Sequence, residues 1–339
     1  MKKLFPFYLV VFMAISSVSR AQEAKDSAAV DYIPEISLDT RLGFNQCLTD
    51  KSGRFYSDGI YLNIDGNISP HFSYSSNIRI FSPDYLGEDV TTLDAINWLL
   101  ITYEIGDFSF SAGKDGVYVG GFEYDANEID TYFDMSSLFY NYFECWQWGV
   151  SAAWYPAEGQ SLMLQINNSP LSFEENHFGY NLAWRGEWDC YESYWSANLW
   201  QYDRGKYVKS LNFGNMFYVG DFSILADYMT RSTSLSTLFS EDFTAVLQPA
   251  YEGVEWGRFF AKVGYERGSE IIDYEFVGDN LYYGVGAEFF PLKENKDIRL
   301  HATWSHNTQY SGCHQINVGL TWKMDLTKAV KHILNHHKD

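Results

Sequence analysis

Residues 316–323 read INVGLTWK, in which apolar residues alternate with polar or small ones. Successive side chains of a β-strand point to opposite faces, so the alternation predicts a strand whose two faces meet different environments. Residues 283–289 (YGVGAEF) and 300–305 (LHATWS) repeat the pattern. Such runs extend for roughly ten residues, whereas strands in globular proteins usually have five or six. Ten tilted residues rise about 25 Å, which is the height of the lipid-facing band of an outer-membrane barrel.

Similar runs recur from residue 36 to residue 325 and indicate about sixteen strands. Most connections alternate between short turns, such as Gly106-Asp107, and long loops, such as 82–95 and 114–137. Short turns at one end and long loops at the other are typical of an outer-membrane barrel. We therefore predict an all-β fold, a transmembrane antiparallel β-barrel with long extracellular loops. An exported carbohydrate-binding β-sandwich is the alternative, because its strands alternate in the same way.

The N-terminus has the pattern of an export signal. Lys2 and Lys3 precede a short apolar run, and the small residues Ser19 and Ala21 suit cleavage after Ala21. The expected organisation is a signal peptide (1–21), a periplasmic lead-in (22–35), the barrel (36–325) and a polar C-terminal tail (326–339). The outer membrane is the expected location.

Composition narrows the classes of partner. The chain has 339 residues, 24 Lys+Arg and 44 Asp+Glu, which gives a formal net charge of −20. Nucleic-acid binding requires a basic surface, so no nucleic-acid partner is expected. Aromatic residues make up 18% of the chain, and many lie at strand ends, as in the aromatic girdles of membrane barrels. The expected partners are outer-membrane lipid and small hydrophilic solutes or ions.

Three short motifs carry a family resemblance. Residues 113–125 (GKDGVYVGGFEYD), the opening 38–42 (LDTRL) and the closing 319–323 (GLTWK) together resemble the phosphate-selective porin O and P family. The resemblance implies a sixteen-stranded barrel whose third extracellular loop folds inward and narrows the pore. It also implies an assembly that is usually trimeric, so a homotrimer is expected.

The loop 114–137 is the expected pore constriction. Its charged residues are one base and six acids: Lys114, Asp115, Glu123, Asp125, Glu128, Asp130 and Asp134. Carboxylates at a constriction repel anions and concentrate cations. We therefore predict a porin for passive diffusion of small hydrophilic solutes or ions, with a cation bias. An anion- or phosphate-selective channel, as the family name implies, is the alternative.

Basic residues recur on the polar faces of the strands, and these faces line the lumen of a barrel. They are Arg41, Arg79, Arg185, Lys262, Arg299 and Lys323. One interpretation is a ladder for anions. The interpretation we favour is that they pair with lumen acids: Asp39, Asp65, Glu104, Asp227, Glu266 and Glu288. Tyr118, Tyr124 and Tyr132 in the loop are candidates either for sugar contact or for packing against the wall.

We expect a protein that is not an enzyme and that holds no metal or cofactor. G-x-S-x-G is absent, and no histidine has a recognisable catalytic context. A barrel with a non-transport role, such as an adhesin, stays open. Cys47 lies in the first long loop and Cys313 in the last, and closure of a barrel makes its first and last strands neighbours. A Cys47–Cys313 disulfide is therefore one prediction, and four unpaired cysteines are the alternative.

Overall fold

A computed structural model of the chain describes residues 32–81, 95–268, 278–292, 295–308, 314–328 and 331. Sixteen antiparallel strands form a closed barrel in which neighbours in sequence pair and β1 pairs with β16. The strands are β1 (Glu35–Cys47), β2 (Gly53–Asn67), β3 (Phe72–Phe81), β4 (Ile96–Ile105), β5 (Phe108–Gly116), β6 (Trp146–Ala157), β7 (Gln160–Asn168), β8 (Phe178–Trp188), β9 (Tyr191–Asp203), β10 (Lys206–Val219), β11 (Phe222–Ser232), β12 (Asp242–Val254), β13 (Gly257–Gly268), β14 (Gly278–Phe289), β15 (Ile298–Asn307) and β16 (His314–Asp325). The predicted signal peptide lies outside the described residues.

The two faces of each strand meet opposite environments. On β7, Leu162, Leu164 and Ile166 are exposed on the outside, whereas Gln165 and Asn167 are buried on the lumen side. A β-sandwich would place its apolar face inside. The predicted transmembrane barrel is therefore confirmed, and the sandwich alternative is wrong.

The closing seam joins β1 to β16 over eleven residue pairs, from Ser37–Asp325 to Cys47–Gln315. Beyond β16, the Leu326 amide donates to the carbonyl of Ile36 at 2.8 Å, so the chain returns to the start of β1. Closure satisfies the backbone groups that an open sheet edge would leave bare in lipid. Among the described helices, none has the length and apolar content needed to cross a membrane.

Strand β5 is longer than the sequence predicts. Its pairing with β6 continues through Asp115–Gln147 and Gly116–Trp146, and these backbone bonds keep the segment extended. The constriction loop therefore begins at residue 117 rather than 114, and that part of the prediction is wrong. Gly113, which precedes this extension, has a positive φ of 142°. A Cβ there would overlap with the carbonyl of Leu99, so the position requires glycine.

Residues 117–145 form the long loop after β5, which is the third loop at that end of the barrel. It contains short helices at Phe122–Asp125 and Leu138–Tyr142, with a 3-10 helix at Glu128–Asp130 between them. The loop folds into the lumen, where Val119 and Phe139 are fully buried against the wall residues Trp200 and Val208. The predicted inward fold of the third loop is confirmed, and we call this segment loop 3.

Candidate functional site

Loop 3 is held by a ladder of amide side chains on the lumen face of β7–β10. Gln165, Asn181, Asn198 and Asn212 come from these four consecutive strands and are linked side chain to side chain. The ladder also bonds the loop backbone at Tyr118, whose amide donates to Gln165 Oε1 at 2.9 Å and whose carbonyl accepts from Asn198 Nδ2 at 2.7 Å. Amide side chains on one wall of the lumen therefore bind the backbone of loop 3.

The loop backbone packs tightly against this wall at Gly120. Its amide donates to Ser196 Oγ at 2.7 Å. A Cβ on Gly120 would lie 2.7 Å from the backbone nitrogen of Ser196 and from the carbonyl oxygen of Tyr194. Real side chains do not approach paired strand backbone so closely, and glycine is therefore what allows the contact.

A buried ionic cluster anchors the second helix of the loop. Arg231 on β11 contacts Asp242 on β12 and, at 2.9 Å, Glu266 on β13, and all three side chains are completely buried. Oε2 of Glu266 accepts from the Leu138 amide at 2.7 Å, and Oε1 accepts from Ser137 Oγ at 2.9 Å. Both carboxylates are thus compensated, as buried charges must be. The cluster ties three strands to the start of the helix Leu138–Tyr142.

A second anchor holds the first helix. Asp227 on β11 accepts from the Glu123 amide at 2.7 Å, at the helix N-terminus. The Glu123 carboxylate forms an ion pair with Lys262 and accepts from the Ser136 amide at 2.7 Å. Glu123, predicted to line the constriction, is only 6% exposed. Its carboxylate mainly links the loop to the wall at Lys262 and to the loop backbone at Ser136.

The more accessible loop acids pair with bases on the wall. Asp125 lies 2.5 Å from Arg185 on β8. Asp130 lies 2.9 Å from Lys323 on β16 and also contacts Arg299 on β15. Burial opposes ionisation of Asp130, yet the hydrogen bond from Lys323 and the charge of Arg299 hold its pKa below the ordinary value.

The remaining predicted site residues take other places. Arg41 donates to the carbonyls of Ile129 and Thr131 in the loop. Lys262 donates to the Asp134 carbonyl at 2.7 Å. Lys114 lies on β5 and donates to the Ile96 carbonyl at 2.8 Å. Its cross-strand neighbours Leu99 and Trp148 are exposed on the outer surface.

Most of the predicted lumen bases therefore contact loop 3. They form no continuous ladder for anions over the described residues, and the favoured pairing with strand acids describes only part of their contacts. Arg299, for example, lies 3.5 Å from Glu288 as well as beside Asp130. Arg79 lies over the Tyr61 ring, 5.3 Å from its centroid. The side chain of Glu128 lies outside the described part of the molecule.

Loop 3 packs against one side of the lumen and leaves a cavity of about 1310 Å³ open on the other. Arg41, Arg54 and Arg79 line it from β1–β3, whereas Asp125 and Asp134 line it from the loop. A smaller cavity of about 230 Å³ beside Cys47 shares Arg54 with the larger one and lies toward its outer end. The open passage is therefore polar, charged with both signs, and bounded by loop 3.

Sequence reasoning missed several residues of this site. Arg54 lies beyond a register shift between β1 and β2 at Arg41/Leu42, which changes the face that β2 presents. Arg231, Trp98 and Trp146 also went unnoticed. The triplet of Arg231, Asp242 and Glu266 had a detectable signal, because three charged residues stand on the inward faces of successive strands.

One predicted disulfide partner can be placed. Cys47 is disulfide-bonded, which rules out four unpaired cysteines, whereas Cys145 and Cys190 are not part of a disulfide. Cys47 is the last residue of β1, not part of the first long loop as predicted, and it pairs in register with Gln315. Cys313 lies outside the described residues, so the Cys47–Cys313 pairing stays a prediction.

Comparison with known proteins supports a porin. The model of the family described as "Phosphate-selective porin O and P" matches residues 35–194, and this is the family that the sequence motifs resemble. No curated protein sequence matches the chain. Together with the closed barrel, the family match supports an outer-membrane porin channel.

Solved structures share the fold at low sequence identity. A loop-deletion mutant of OmpT, an outer membrane protein of Vibrio cholerae, is 10% identical with a TM-score of 0.61, over 86% of this chain and 99% of that one. In-vitro folded OmpT in trimer form is 11% identical with a TM-score of 0.59, over 86% and 99%. A mutant of the Rh. blastica porin is 15% identical with a TM-score of 0.58, over 85% and 100%. These likenesses concern the fold.

Proposed function

We propose that this chain, whose residues 35–194 match the phosphate-selective porin O and P family, is a passive outer-membrane channel for small hydrophilic solutes and ions. The observation that carries the proposal is the cavity of about 1310 Å³ that loop 3 leaves open beside β1–β3. A barrel of sixteen strands is wide enough for an aqueous passage, and an inserted loop sets its width. The function is physical rather than enzymatic, because solutes only diffuse through.

We further propose that the channel prefers cations, but only modestly. Glu123, Asp125 and Asp130 each pair with a wall base, which cancels much of the negative charge predicted for the constriction. The cavity lining also includes Arg41 and Arg54. The formal net charge of −20 leaves a negative potential around the protein, which favours cations at its entrances.

An anion-selective channel is the second candidate, and one observation favours it. Arg41, Arg54 and Arg79 stand on three neighbouring strands and all line the cavity. Guanidinium groups suit phosphate and carboxylate geometry. If these arginines dominated the field at the narrowest point, the channel would pass phosphate in preference to potassium.

Planar-bilayer conductance of the detergent-purified protein tests the proposal. Stepwise conductance with a weakly cation-selective reversal potential in a KCl gradient is the expected result. Steps with an anion-selective reversal potential would replace the cation proposal by the second candidate. Absence of steps from folded, inserted protein would overturn the channel and favour a non-transport barrel.

The proposed location and assembly follow from the same fold. We propose an outer-membrane homotrimer, since OmpT of similar fold has a trimer form. Light scattering of the protein in detergent measures the mass of the assembly. A monomeric mass under mild extraction would contradict the trimer and leave the channel proposal standing. N-terminal sequencing of the mature protein checks the expected cleavage after Ala21.

A further inference from the structure

A pair of aromatic residues lies on the open side of the lumen. These residues are not part of the ion pairs that hold loop 3 in place. Trp98 on β4 and Trp146 on β6 both line the cavity, with ring centroids 5.4 Å apart and planes inclined at 36°. Trp98 Nε1 donates to Ser75 Oγ at 2.8 Å, which fixes one ring. The pair therefore forms one bent aromatic surface at the wall of the passage.

Strand β5 runs between the two tryptophans and makes room for them. Gly116 pairs in register with Trp146, and a Cβ on Gly116 would lie 3.4 Å from the Trp146 ring. A larger side chain at this position would compete with the indole for space. The residue before it, Asp115, also lines the cavity.

Polar groups border this aromatic surface. Asp115 Oδ1 accepts from the Gly116 amide at 2.8 Å, which holds the carboxylate next to the rings. Tyr118 lines the same cavity, and its hydroxyl donates to Ser151 Oγ at 3.1 Å. An apolar aromatic surface edged by a carboxylate and a phenol matches a ligand with an apolar face and a hydroxyl-bearing rim.

We propose that Trp98 and Trp146 form a binding subsite for a neutral saccharide within the pore; this proposal rests on the channel function proposed above. The C–H face of a pyranose ring packs on indole, and its hydroxyls bond to neighbouring polar groups. The cavity lining carries bases and acids together, so a neutral ligand loses no charge compensation on entry.

The geometry argues against a flat aromatic solute. Stacking on both faces of such a molecule requires about 7 Å between two rings, because each contact needs about 3.5 Å. The centroids of Trp98 and Trp146 are only 5.4 Å apart. The rings therefore act as one surface, on which a single face of the ligand packs.

The three loop tyrosines that were candidates either for sugar contact or for wall packing all line the cavity. Tyr124 stacks on Phe143 with centroids 5.6 Å apart, and Tyr132 stacks on His301 at 4.2 Å. These two contacts pack the loop against itself and against β15. Tyr118 instead bonds through its hydroxyl to Ser151 on β6, the strand that carries Trp146.

Single-channel recording with added disaccharide tests the subsite. Rising concentrations of maltose or cellobiose in symmetric KCl are expected to cause reversible interruptions of the current. We expect Trp98→Ala to shorten these interruptions about tenfold, equivalent to about 1.4 kcal/mol. Trp154→Ala is the matched control, because Trp154 is 44% exposed and does not line the cavity, and its interruptions should equal those of the wild type.

The outcomes separate this proposal from the channel itself. Conductance steps that neither disaccharide interrupts would overturn the subsite and leave the channel intact. If the interruptions last equally long in wild type and Trp98→Ala, they result from the size of the solute, and the subsite is also overturned. If Trp98→Ala does not fold, Trp98→Phe keeps an aromatic ring with less surface, and a shortening smaller than tenfold is then expected. Absence of any steps overturns the channel proposal first.

Discussion

Arg231 Nη2 lies 2.9 Å from Glu266 Oε1, and neither side chain has any exposed surface. The two residues stand on β11 and β13, and the same guanidinium also contacts Asp242 on the strand between them. Because Glu266 also receives the Leu138 amide at 2.7 Å, the pair connects the barrel wall to loop 3. A single arginine therefore supports both the sheet and the width of the passage.

Arg231→Met should strongly destabilise the barrel. The substitution leaves the carboxylates of Asp242 and Glu266 buried without their cation, and such losses cost about 3–5 kcal/mol. Loop 3 should also loosen, with a larger and noisier conductance. Heat-dependent mobility of the folded protein on gels measures the stability.

Arg204→Met is the control for this substitution, because Arg204 is exposed in the turn between β9 and β10. It should leave both stability and conductance unchanged. Equal stability of wild type and Arg231→Met would mean that the buried cluster is not what holds the loop.

Neutralising Asp125, Asp130 and Asp134 together by substitution with Asn should lower the cation preference. The change removes negative charge and also releases Arg185, Arg299 and Lys323 from their carboxylate partners. The reversal potential in a KCl gradient should move toward anions. Asp203→Asn, in an exposed pair with Lys206, is the matched control. An unchanged reversal potential in the triple variant would place the constriction elsewhere.

The ion pair between Asp130 and Lys323 should persist at mildly acidic pH. Burial disfavours the charged form, but the hydrogen bond from Lys323 and the charge of Arg299 lower the Asp130 pKa beneath its ordinary value of 3.8. Since the folded pKa is the lower one, the stabilisation is fully present above pH 3.8 and is lost as pH falls through the folded pKa. The conductance difference between wild type and Asp130→Asn should thus persist down to pH 3.8. A difference that disappears at higher pH would refute this assignment.

A disulfide should join Cys47 to Cys313 at the extracellular end of the seam. Peptide mapping without reductant should recover these two cysteines in one cross-linked peptide and should find Cys145 and Cys190 outside any disulfide. Reductant should lower the thermal stability of the wild type and have no effect on Cys47→Ser. Recovery of Cys47 in a cross-link with any other cysteine would contradict the pairing. Cys190→Ser is the control, and it should leave the peptide map of the other three cysteines unchanged.

Gly120→Ala should displace loop 3 from the wall. The new Cβ would lie 2.7 Å from backbone atoms of Ser196 and Tyr194, which paired strands hold in place. Overpacking of this kind costs about 1–3 kcal/mol. We expect lower stability and a changed conductance, measured as above. Ala157→Ser, at an exposed position of β6 that does not line the cavity, is the control.

The barrel could be predicted from sequence because its main signal is local. Alternation with a period of two records the two faces of each strand, and Leu162, Gln165 and Ile166 display it without knowledge of any partner. The end of β5 could not be predicted, since Asp115 and Gly116 are extended through their pairing with β6.

The constriction was predicted as a loop, but its electrostatics were not. Asp125 meets Arg185 60 residues away, and Asp130 meets Lys323 193 residues away. No local pattern records which base on a curved wall faces which acid on an inserted loop. Composition therefore overstated the free negative charge of the passage.

The docking of loop 3 also imposes an order on assembly. The loop leaves β5, but its buried anchors lie on β11–β13, and the Leu138 amide meets Glu266 128 residues later in the chain. Contacts so distant in sequence close late, because their loop entropy must be offset by intervening structure. A barrel whose later strands have not joined lacks the buried charges of β11–β13 that anchor the two helices of the loop. The narrow passage is therefore itself a sign that the protein has finished folding.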